Sequence, residues 1–472
     1  MIAKTLDELL HSLKGVVVIE EGRVRPLDEA RLRGAVMDDL VFQAVFAGDA
    51  ARATARFLLW ELGQELGIRP ASINDLYRAR GRGETREGWT VPAMNLRVLT
   101  YDMARAVFRA AQARAVGALI FEIARSEIGY TAQRPAEYAT VIIGAAIREG
   151  FRGPLFLQGD HFQMSAKKYA SAPDAERKAV DDLIREAIAG GFFNIDIDSS
   201  TLVDLRQPTV PEQQRANFEL CARFTQTIRS LQPAGVTVSV GGEIGEVGGK
   251  NSTEEELRAF MDGYNAALPP GMAGLSKLSI QTGTSHGGVV LPDGTLARVK
   301  IDFDTLGRLS RVAREEYGMA GAVQHGASTL PPEAFHHFPE VGTCEIHLAT
   351  GFQNLVYDHA AFPSDLRGEI YDYLKKNCAD EWKSDETEDQ FIYKTRKKGL
   401  GPFKQQFWTL PEATRQVIGH DLEEQFRFLF DQLGVADTAE MVARYVEPPL
   451  LHKDPADFGL EGKLEVARDL AD

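Results

Sequence analysis

Three histidines, His161, His286 and His325, have the residue type and setting expected of a metal site. They lie in LFLQGDHFQ, LSIQTGTSHGG and AGAVQHGAST, where each follows a short apolar run and stands close to glycine. Such a pattern is typical of a strand end whose last side chain points into a site. Three neutral imidazoles with one open position form a catalytic metal site. The pattern therefore predicts bound Zn²⁺, with Mn²⁺ or Co²⁺ as alternatives because affinity order alone does not select the metal.

Two acidic residues could act at the same site. Asp160 directly precedes His161, and at a strand end both side chains can turn toward one cavity, where a carboxylate can exchange a proton with a substrate hydroxyl. The alternative for Asp160 is a residue that caps a loop. Glu243 lies in the glycine-rich segment SVGGEIGEVGGKNST, and it is either a further metal ligand or a carboxylate that orients a histidine.

From Val91 onward, short apolar runs alternate with longer segments of helical periodicity. The runs are rich in β-branched residues and nearly continuous in hydrophobicity, which is what strands buried on both faces require. They occupy residues 92–96, 118–123, 155–158, 193–197, 236–240, 278–281, 321–324 and 344–348. Eight strand–helix repeats predict an α/β fold of the (β/α)₈ barrel type.

Polar residues cluster where these runs end, and barrel enzymes place their chemistry at the C-terminal ends of the strands. We expect Asn95, His347 and Thr350 at three of these ends to contact a substrate. Two loops of small residues follow the seventh and eighth runs, at 326–329 (GAST) and 348–351 (LATG). Barrels often bind phosphate at these loops through backbone N–H groups, although small residues also serve simple turns.

The chain divides into three predicted parts: a mostly helical N-terminal extension at 1–90, the barrel at 91–355 and a helical C-terminal appendage at 356–472. The segment IRPASINDLYRARGRGETREGW is interpreted as an exposed turn, with Arg78, Arg80 and Arg82 in structural, solvated roles. The appendage could cover the barrel mouth or build a subunit contact, and the sequence does not decide between the two.

The composition excludes several classes of function. The chain has 472 residues, 26% of them charged, and a net charge of −15, so it repels nucleic acid. The short basic run at 394–398 is interpreted as a solvated surface. Three scattered cysteines favour neither a disulfide framework nor a CxxC metal site, and they fit a reducing cytosol. No segment reaches the roughly 18–20 apolar residues that span a bilayer. We expect a cytoplasmic protein without nucleic-acid or membrane partners.

Several motifs together resemble the class II, metal-dependent fructose-bisphosphate aldolase family. The matching segments are GDH at 159–161, GGEIGEVGG at 241–249, GTSHG at 283–287, QHGAST at 324–329 and EIHLATG at 345–351. The resemblance covers roughly residues 91–355 and leaves both flanks unexplained. It implies a (β/α)₈ barrel, commonly dimeric, that acts on a sugar or sugar phosphate; a homodimer or higher homo-oligomer is therefore expected.

The resemblance also implies roles for particular residues. His161, His286 and His325 would hold the metal, with Glu243 close to it. Asp160 would exchange a proton with the C4 hydroxyl of a ketose, while the metal stabilises the enediolate left when the C3–C4 bond breaks. A phosphate group would bind Gly287, Gly326 and Ser328.

Two loops depart from the family pattern. The family has an acidic pair after its double glycine, but here Gly249 is followed by Lys250 and Asn251. Lys250 could instead meet a phosphate or carboxylate, and Glu246 could replace the missing base. The last strand is followed by His347-Leu-Ala-Thr350-Gly in place of Asn-x-Asp-Thr-Asp.

Three functions remain open from the sequence. The leading one is a lyase, a class II aldolase that cleaves a ketose (bis)phosphate such as fructose 1,6-bisphosphate. The second is an epimerase at C4 of a ketose, which uses retro-aldol cleavage and re-addition at the same metal and which the altered loops favour somewhat. The third is a barrel that serves as a non-catalytic partner subunit, against which the retained histidines and Asp160 argue.

Overall fold

The apolar runs of the sequence form the strands of one parallel sheet in the computed structural model, which describes residues 6–20, 23–245, 249–283, 291 and 301–460. The elements before residue 90 are α1 (Leu6–Ser12), β1 (Val17–Glu20), β2 (Arg23–Pro26), α2 (Glu29–Arg31), α3 (Met37–Phe46), α4 (Asp49–Glu65), β3 (Ile68–Ala71) and α5 (Asn74–Gly81). The next eight strands are β4 (Val91–Asn95), β5 (Ile120–Ala124), β6 (Gly153–Gln163), β7 (Asn194–Asp198), β8 (Ser239–Glu243), β9 (Lys277–Ile280), β10 (Ala322–Gln324) and β11 (Glu345–Leu348).

These eight strands form a closed barrel. Each pairs in parallel with the next along the chain, and β11 pairs with β4, for example Ile346 with Pro92. Every residue of β4, β5, β7 and β8 is buried, as expected for strands covered on both faces. The predicted (β/α)₈ barrel is therefore confirmed.

Helices surround the barrel and connect its strands. They are α6 (Thr100–Ala113), α7 (Arg125–Thr131), α8 (Pro135–Glu149), α9 (Ala166–Ser171), α10 (Pro173–Ala189), α11 (Val210–Leu231), α12 (Glu254–Ala267), α13 (Phe303–Glu315), α14 (His337–Glu340) and α15 (Thr350–Asp358). Local sequence fixes their starts: Thr253 and Glu256 cap α12 reciprocally, and Thr209 accepts a hydrogen bond from the Glu212 N–H at the start of α11.

The N-terminal part is less helical than its sequence pattern predicts, because strand β3 joins the sheet. It pairs in parallel with the first residues of β6, from Ile68 with Gly153 to Ala71 with Phe156. Asn194 of β7 fixes the chain that follows: its amide oxygen accepts from the Ile73 N–H at 2.9 Å, and its amide nitrogen donates to the Ala71 carbonyl at 3.1 Å. These bonds attach the N-terminal part directly to barrel strands.

Helix α5 lies in the segment that the sequence pattern presents as an exposed turn. Tyr77 is fully buried and donates to the carboxylate of Glu345. Arg80 is buried too, and it donates to the carbonyls of Trp89, Gly342 and Thr343. The structural role expected for Arg80 is thus present, but the residue is not solvated. Its charge and the neighbouring glycines predict an exposed position, and no local sequence pattern indicates that Arg80 contacts the core.

The C-terminal part adds α16 (Ser364–Asn377), α17 (Glu388–Thr395), α18 (Lys404–Trp408), α19 (Glu412–Gln432) and α20 (Ala439–Tyr445), with a tight turn at Arg396–Gly399. Helix α19 packs against α6, and residue 401 lies against α7 at the C-terminal ends of the strands, where the Gly401 N–H donates to the Tyr130 carbonyl at 2.9 Å. None of the described helices is long and apolar enough to cross a bilayer.

Candidate metal centre

An irregularity in β6 turns two consecutive side chains into the barrel mouth. The pairing of β6 with β7 shifts between Gly159 and Phe162, and His161 has a φ of 40°, in the left-handed region. On a regular strand, neighbouring side chains point to opposite faces. Here Asp160 Oδ1 lies 3.9 Å from His161 Nε2. Gly159 leaves space for the irregularity, because a Cβ there would lie 2.4 Å from the Phe162 ring.

His161 and His325 are 164 residues apart in the sequence, and the fold brings their side chains together. Their ring centroids are 4.1 Å apart with the planes at 88°. Potential ligand atoms of Asp160, His161 and His325 all lie within 4.8 Å of one another, and Glu243 Oε2 is 3.6 Å from His325 Nδ1. A set of imidazoles and carboxylates fits Zn²⁺ and other divalent first-row metals.

A carboxylate outside this set orients His161. His161 Nδ1 is 2.9 Å from Asp198 Oδ2, which also accepts from Gln163 Nε2 at 2.6 Å. A ligating histidine commonly donates its second ring nitrogen to such a carboxylate, which leaves the other nitrogen for the metal. Asp198 directly follows the apolar run 193–197, but sequence alone does not connect it to His161.

Burial and the charges of the site strongly shift the pKa values of its ionisable groups. Burial alone would lower the pKa of His161, but the carboxylates of Asp160 and Asp198 raise it to about 10. Burial alone would raise the pKa of Asp160, whereas the imidazoles of His161 and His347 hold it well below its usual range. Burial, with the nearby charge of Asp198, raises the pKa of Glu243 to about 8. Shifts of this kind are typical of functional sites.

His347 lies directly beside the candidate metal cluster and is as buried as Asp160 and His325. It is buried and stacks on His325, with ring centroids 4.1 Å apart. Its Nδ1 is 3.1 Å from Asp160 Oδ1, and its Nε2 is 2.7 Å from Glu345 Oε1. The residue predicted to bind substrate therefore connects the proposed acid–base carboxylate to the barrel interior.

A network of buried charges fills the barrel beneath His347. Lys277 Nζ donates to Gln158 Oε1 at 2.8 Å and to Asp196 Oδ2 at 3.0 Å, and it is also paired with Glu345. Buried charges require such partners. Asp196 is one of the polar residues at the predicted strand ends, whereas Gln158, Lys277 and Glu345 were not predicted as part of a site. The available signal was a charged residue inside an apolar strand, as in SKLSI and CEIHL.

A second chain of contacts leads from Asp160 toward the rim of the mouth. Asn95 Nδ2 donates to Asp160 Oδ2 and to Glu127 Oε2, both at 2.9 Å. Glu127 is also ion-paired with Arg97, and Arg97 Nη1 donates to Thr350 Oγ1 at 3.2 Å. Asn95 and Thr350 thus lie at the mouth, at strand ends as predicted. Both are already hydrogen-bonded to other side chains of this chain.

The two small-residue loops after β10 and β11 pack against each other. Gly326 has a φ of 69°, and Ser328 Oγ accepts from the Ala349 N–H at 2.5 Å. A Cβ at Gly351 would lie 2.6 Å from the Ser328 carbonyl. The Ser328 hydroxyl and one backbone N–H predicted for phosphate binding are therefore bonded to each other.

The remaining predicted residues do not join this cluster in the described part of the chain. Lys250 is exposed and pairs with Glu256 at 2.9 Å, close to the start of α12. Glu246, His286 and Gly287 lie outside the described residues.

Comparison with known proteins agrees with this architecture. The family described as fructose-bisphosphate aldolase class-II matches residues 83–399. A glycerol-complexed structure of the fructuronate-tagaturonate epimerase UxaE from Cohnella laeviribosi is 12% identical, with a TM-score of 0.59 and coverage of 90% of each chain. The probable tagatose 6 phosphate kinase from Sinorhizobium meliloti 1021 is 15% identical, with a TM-score of 0.50 and coverage of 81% of this chain and 99% of its own. These structures share the fold. No curated protein matches the sequence.

Proposed function

The chain belongs to the class II fructose-bisphosphate aldolase family, and on that basis we propose that it catalyses metal-dependent aldol chemistry at the C3–C4 bond of a ketose. The observation that carries the proposal is the meeting of Asp160, His161 and His325 at one mouth, with potential ligand atoms within 4.8 Å of one another. A divalent metal ion held there would polarise the ketone as a Lewis acid and stabilise negative charge on its oxygen.

Asp160 is the proposed acid–base residue. It is held ionised by His161 and His347, and it is positioned by Asn95, so it can accept the proton of the C4 hydroxyl when the bond breaks. His161, His325 and His286 are the proposed metal ligands. We place Glu243 beside the metal. Glu246 is the proposed base at C3, the carbon that becomes nucleophilic when the C3–C4 bond breaks. In the aldolase outcome, the aldehyde leaves and the cleavage is reversible.

A C4 epimerase is the second candidate, and two observations favour it. The Ser328 hydroxyl and the Ala349 N–H, expected at a phosphate, are bonded to each other. The epimerase of Cohnella laeviribosi also shares the fold over 90% of this chain, flanks included. In this outcome the aldehyde stays bound, turns its other face to the nucleophilic carbon and adds again.

A product assay separates the two outcomes. Zn²⁺-loaded protein is incubated with fructose 1,6-bisphosphate, fructose 6-phosphate, fructuronate and free fructose in turn. Triose products support the aldolase, and a C4-inverted ketose without triose supports the epimerase. Turnover that persists after chelation, or the absence of both kinds of product, argues against metal-dependent aldol chemistry on these ketoses.

A further inference from the structure

Arg97 lies on the rim of the barrel mouth. It is connected to Asp160 through Asn95 and Glu127. It follows β4 and is held by Glu127 on one side and by the Thr350 hydroxyl at the start of α15 on the other. Glu127 also accepts from Asn95 Nδ2 and from the Ala124 N–H at 3.0 Å. Burial opposes the charge of Arg97, but Glu127 keeps its pKa raised, so the guanidinium stays charged.

The C-terminal part brings a second cation to the same rim. The turn Arg396–Gly399 packs against α7, which begins directly after β5. There Lys397 Nζ lies 5.8 Å from the ring centroid of Tyr130. Two contacts fix this docking: the Gly401 N–H donates to the Tyr130 carbonyl, and Lys404 Nζ donates to the Ala132 carbonyl at 2.8 Å. A Cβ at Gly401 would lie 2.6 Å from the Tyr130 carbonyl, so the approach requires glycine.

Lys397 differs from the lysines beside it. Lys394 is paired with Glu386 at 2.6 Å, and Lys398 is paired with Glu381. In the described part of the chain, no acid lies within ion-pair distance of Lys397. The side chain is accessible to solvent, and partial desolvation, followed by the charge of Arg97, lowers its pKa. Glu127 and Tyr130 are three residues apart on α7, so Arg97, paired with Glu127, and Lys397, lying over Tyr130, contact neighbouring positions of one helix face.

We infer that Arg97 and Lys397 form an anion-binding subsite for the end of the ketose that lies away from the metal. A ketose that reacts at Asp160 and extends its far carbons along the contacts from Asp160 through Asn95 and Glu127 would meet Arg97. The chemistry of the ligand is a terminal carboxylate or phosphate on an open-chain sugar, which a guanidinium and an ammonium bind by charge-assisted hydrogen bonds. This inference rests on the proposed function for its substrate class.

The subsite also gives the C-terminal part a function. An overall charge of −15 disfavours the approach of an anion, so local positive charge at the mouth has a steering effect as well as a binding effect. The barrel contributes only Arg97 to this subsite, and the charge of Arg97 is largely offset by Glu127. Lys397 supplies the excess positive charge.

The experiment measures binding rather than turnover, on the full chain loaded with Zn²⁺. Fructuronate and fructose 6-phosphate are the anionic probes and fructose is the neutral one, each titrated by calorimetry. The variants are Lys397→Met, Lys397→Arg and the matched control Lys398→Met, which removes the same charge one residue away. We expect Lys397→Met to weaken binding of the favoured anion about tenfold and to leave fructose unchanged. Lys397→Arg should restore the anion, and Lys398→Met should behave as the unaltered protein.

The outcomes separate this inference from the proposed function. Equal effects of Lys397→Met and Lys398→Met, equal losses for fructose and the anions, or an unaltered protein that binds neither anion more tightly than fructose would overturn the subsite. Selective loss of one anion identifies carboxylate or phosphate as the ligand. If that selective loss occurs in a protein without turnover on any ketose, the subsite stands and the proposed function fails.

Discussion

Asp160 is the residue on which the proposed chemistry depends most. It contacts Asn95 and His347 and lies 3.9 Å from a ring nitrogen of His161, so its carboxylate is fixed in place before substrate arrives. This arrangement explains why its pKa is held well below the usual range despite burial. A carboxylate that stays ionised at neutral pH can accept a proton at the start of each turnover.

Replacing Asp160 tests this role. In Asp160→Asn the side chain keeps its shape but no longer accepts a proton, so we expect turnover to fall at least about 100-fold. Zn²⁺ content, measured by elemental analysis, should stay that of the unaltered protein because the imidazoles remain. Asp182→Asn, at an exposed acid paired with Lys178, is the control. Near-normal turnover of Asp160→Asn would remove Asp160 from the acid–base role.

The raised pKa of His161 predicts how metal binding depends on pH. Its value of about 10 means that the metal-free imidazole carries a proton at neutral pH, and a metal ion binds only the neutral ring. Binding therefore releases a proton from His161. Glu243, whose pKa is about 8, is protonated below pH 8 and can release a second proton. We expect Zn²⁺ affinity to rise between pH 6 and 8 by roughly tenfold per pH unit for each proton released. Chelator competition at pH 6, 7 and 8 measures this, and a constant affinity would contradict it.

At the scale of elements, the irregular end of β6 decides whether a site exists. A regular strand would send Asp160 and His161 to opposite faces of the sheet. The left-handed backbone at His161 is unfavourable for a residue with a Cβ. It is maintained by the pairing with β7 on both sides and by the bond from His161 to Asp198. The strand thus stores local strain at the point where function needs it.

Gly159→Ala tests the irregularity. The added methyl would lie 2.4 Å from the Phe162 ring, so we expect about 1–3 kcal/mol of lost stability. Turnover should fall as well, because Asp160 and His161 shift. Urea unfolding and steady-state rates provide the two readouts. Gly129→Ala in α7 meets nothing within 4 Å and should lose neither stability nor turnover. If Gly159→Ala matches this control, β6 does not depend on the glycine.

At the scale of the whole molecule, the N-terminal part is built into the barrel rather than attached beside it. Strand β3 extends the sheet at β6, and Tyr77 of α5 reaches Glu345 inside β11. Through Glu345, Lys277 and His347, this contact continues to Asp160. A continuous chain of buried polar contacts therefore links the N-terminal part to the mouth.

Arg80 and Arg82 form a matched pair for testing this integration. In Arg80→Met the carbonyls of Trp89, Gly342 and Thr343 lose a buried donor, so we expect about 2–4 kcal/mol of lost stability. Arg82 is exposed and pairs with Glu84, and Arg82→Met should change stability by no more than about 0.5 kcal/mol. Urea unfolding measures both. Equal effects would mean that the bonds of Arg80 do not anchor this part of the chain.

The predictable part of the fold is the part with periodic sequence. The runs around Phe121 and Ile195 lie within a residue or two of their observed strands, because strands buried on both faces must be apolar throughout. The strand Ile68–Ala71 was missed, since four residues that include an arginine and a proline carry no such signal. Helix α5 was missed because its buried face is formed partly by Tyr77 and Arg80, which local rules assign to the surface.

The sequence by itself determined the barrel, the positions of His161 and His325 at strand ends and the neighbouring acid Asp160. Hydrophobic periodicity and residue type are local properties, and the barrel follows from their repetition. Only the tertiary structure decided that His347 lies in a buried network, that Ser328 bonds to Ala349 and that Lys397 lies over Tyr130 of α7. Each of these facts depends on the distance between atoms far apart in the chain, which packing of the whole molecule sets.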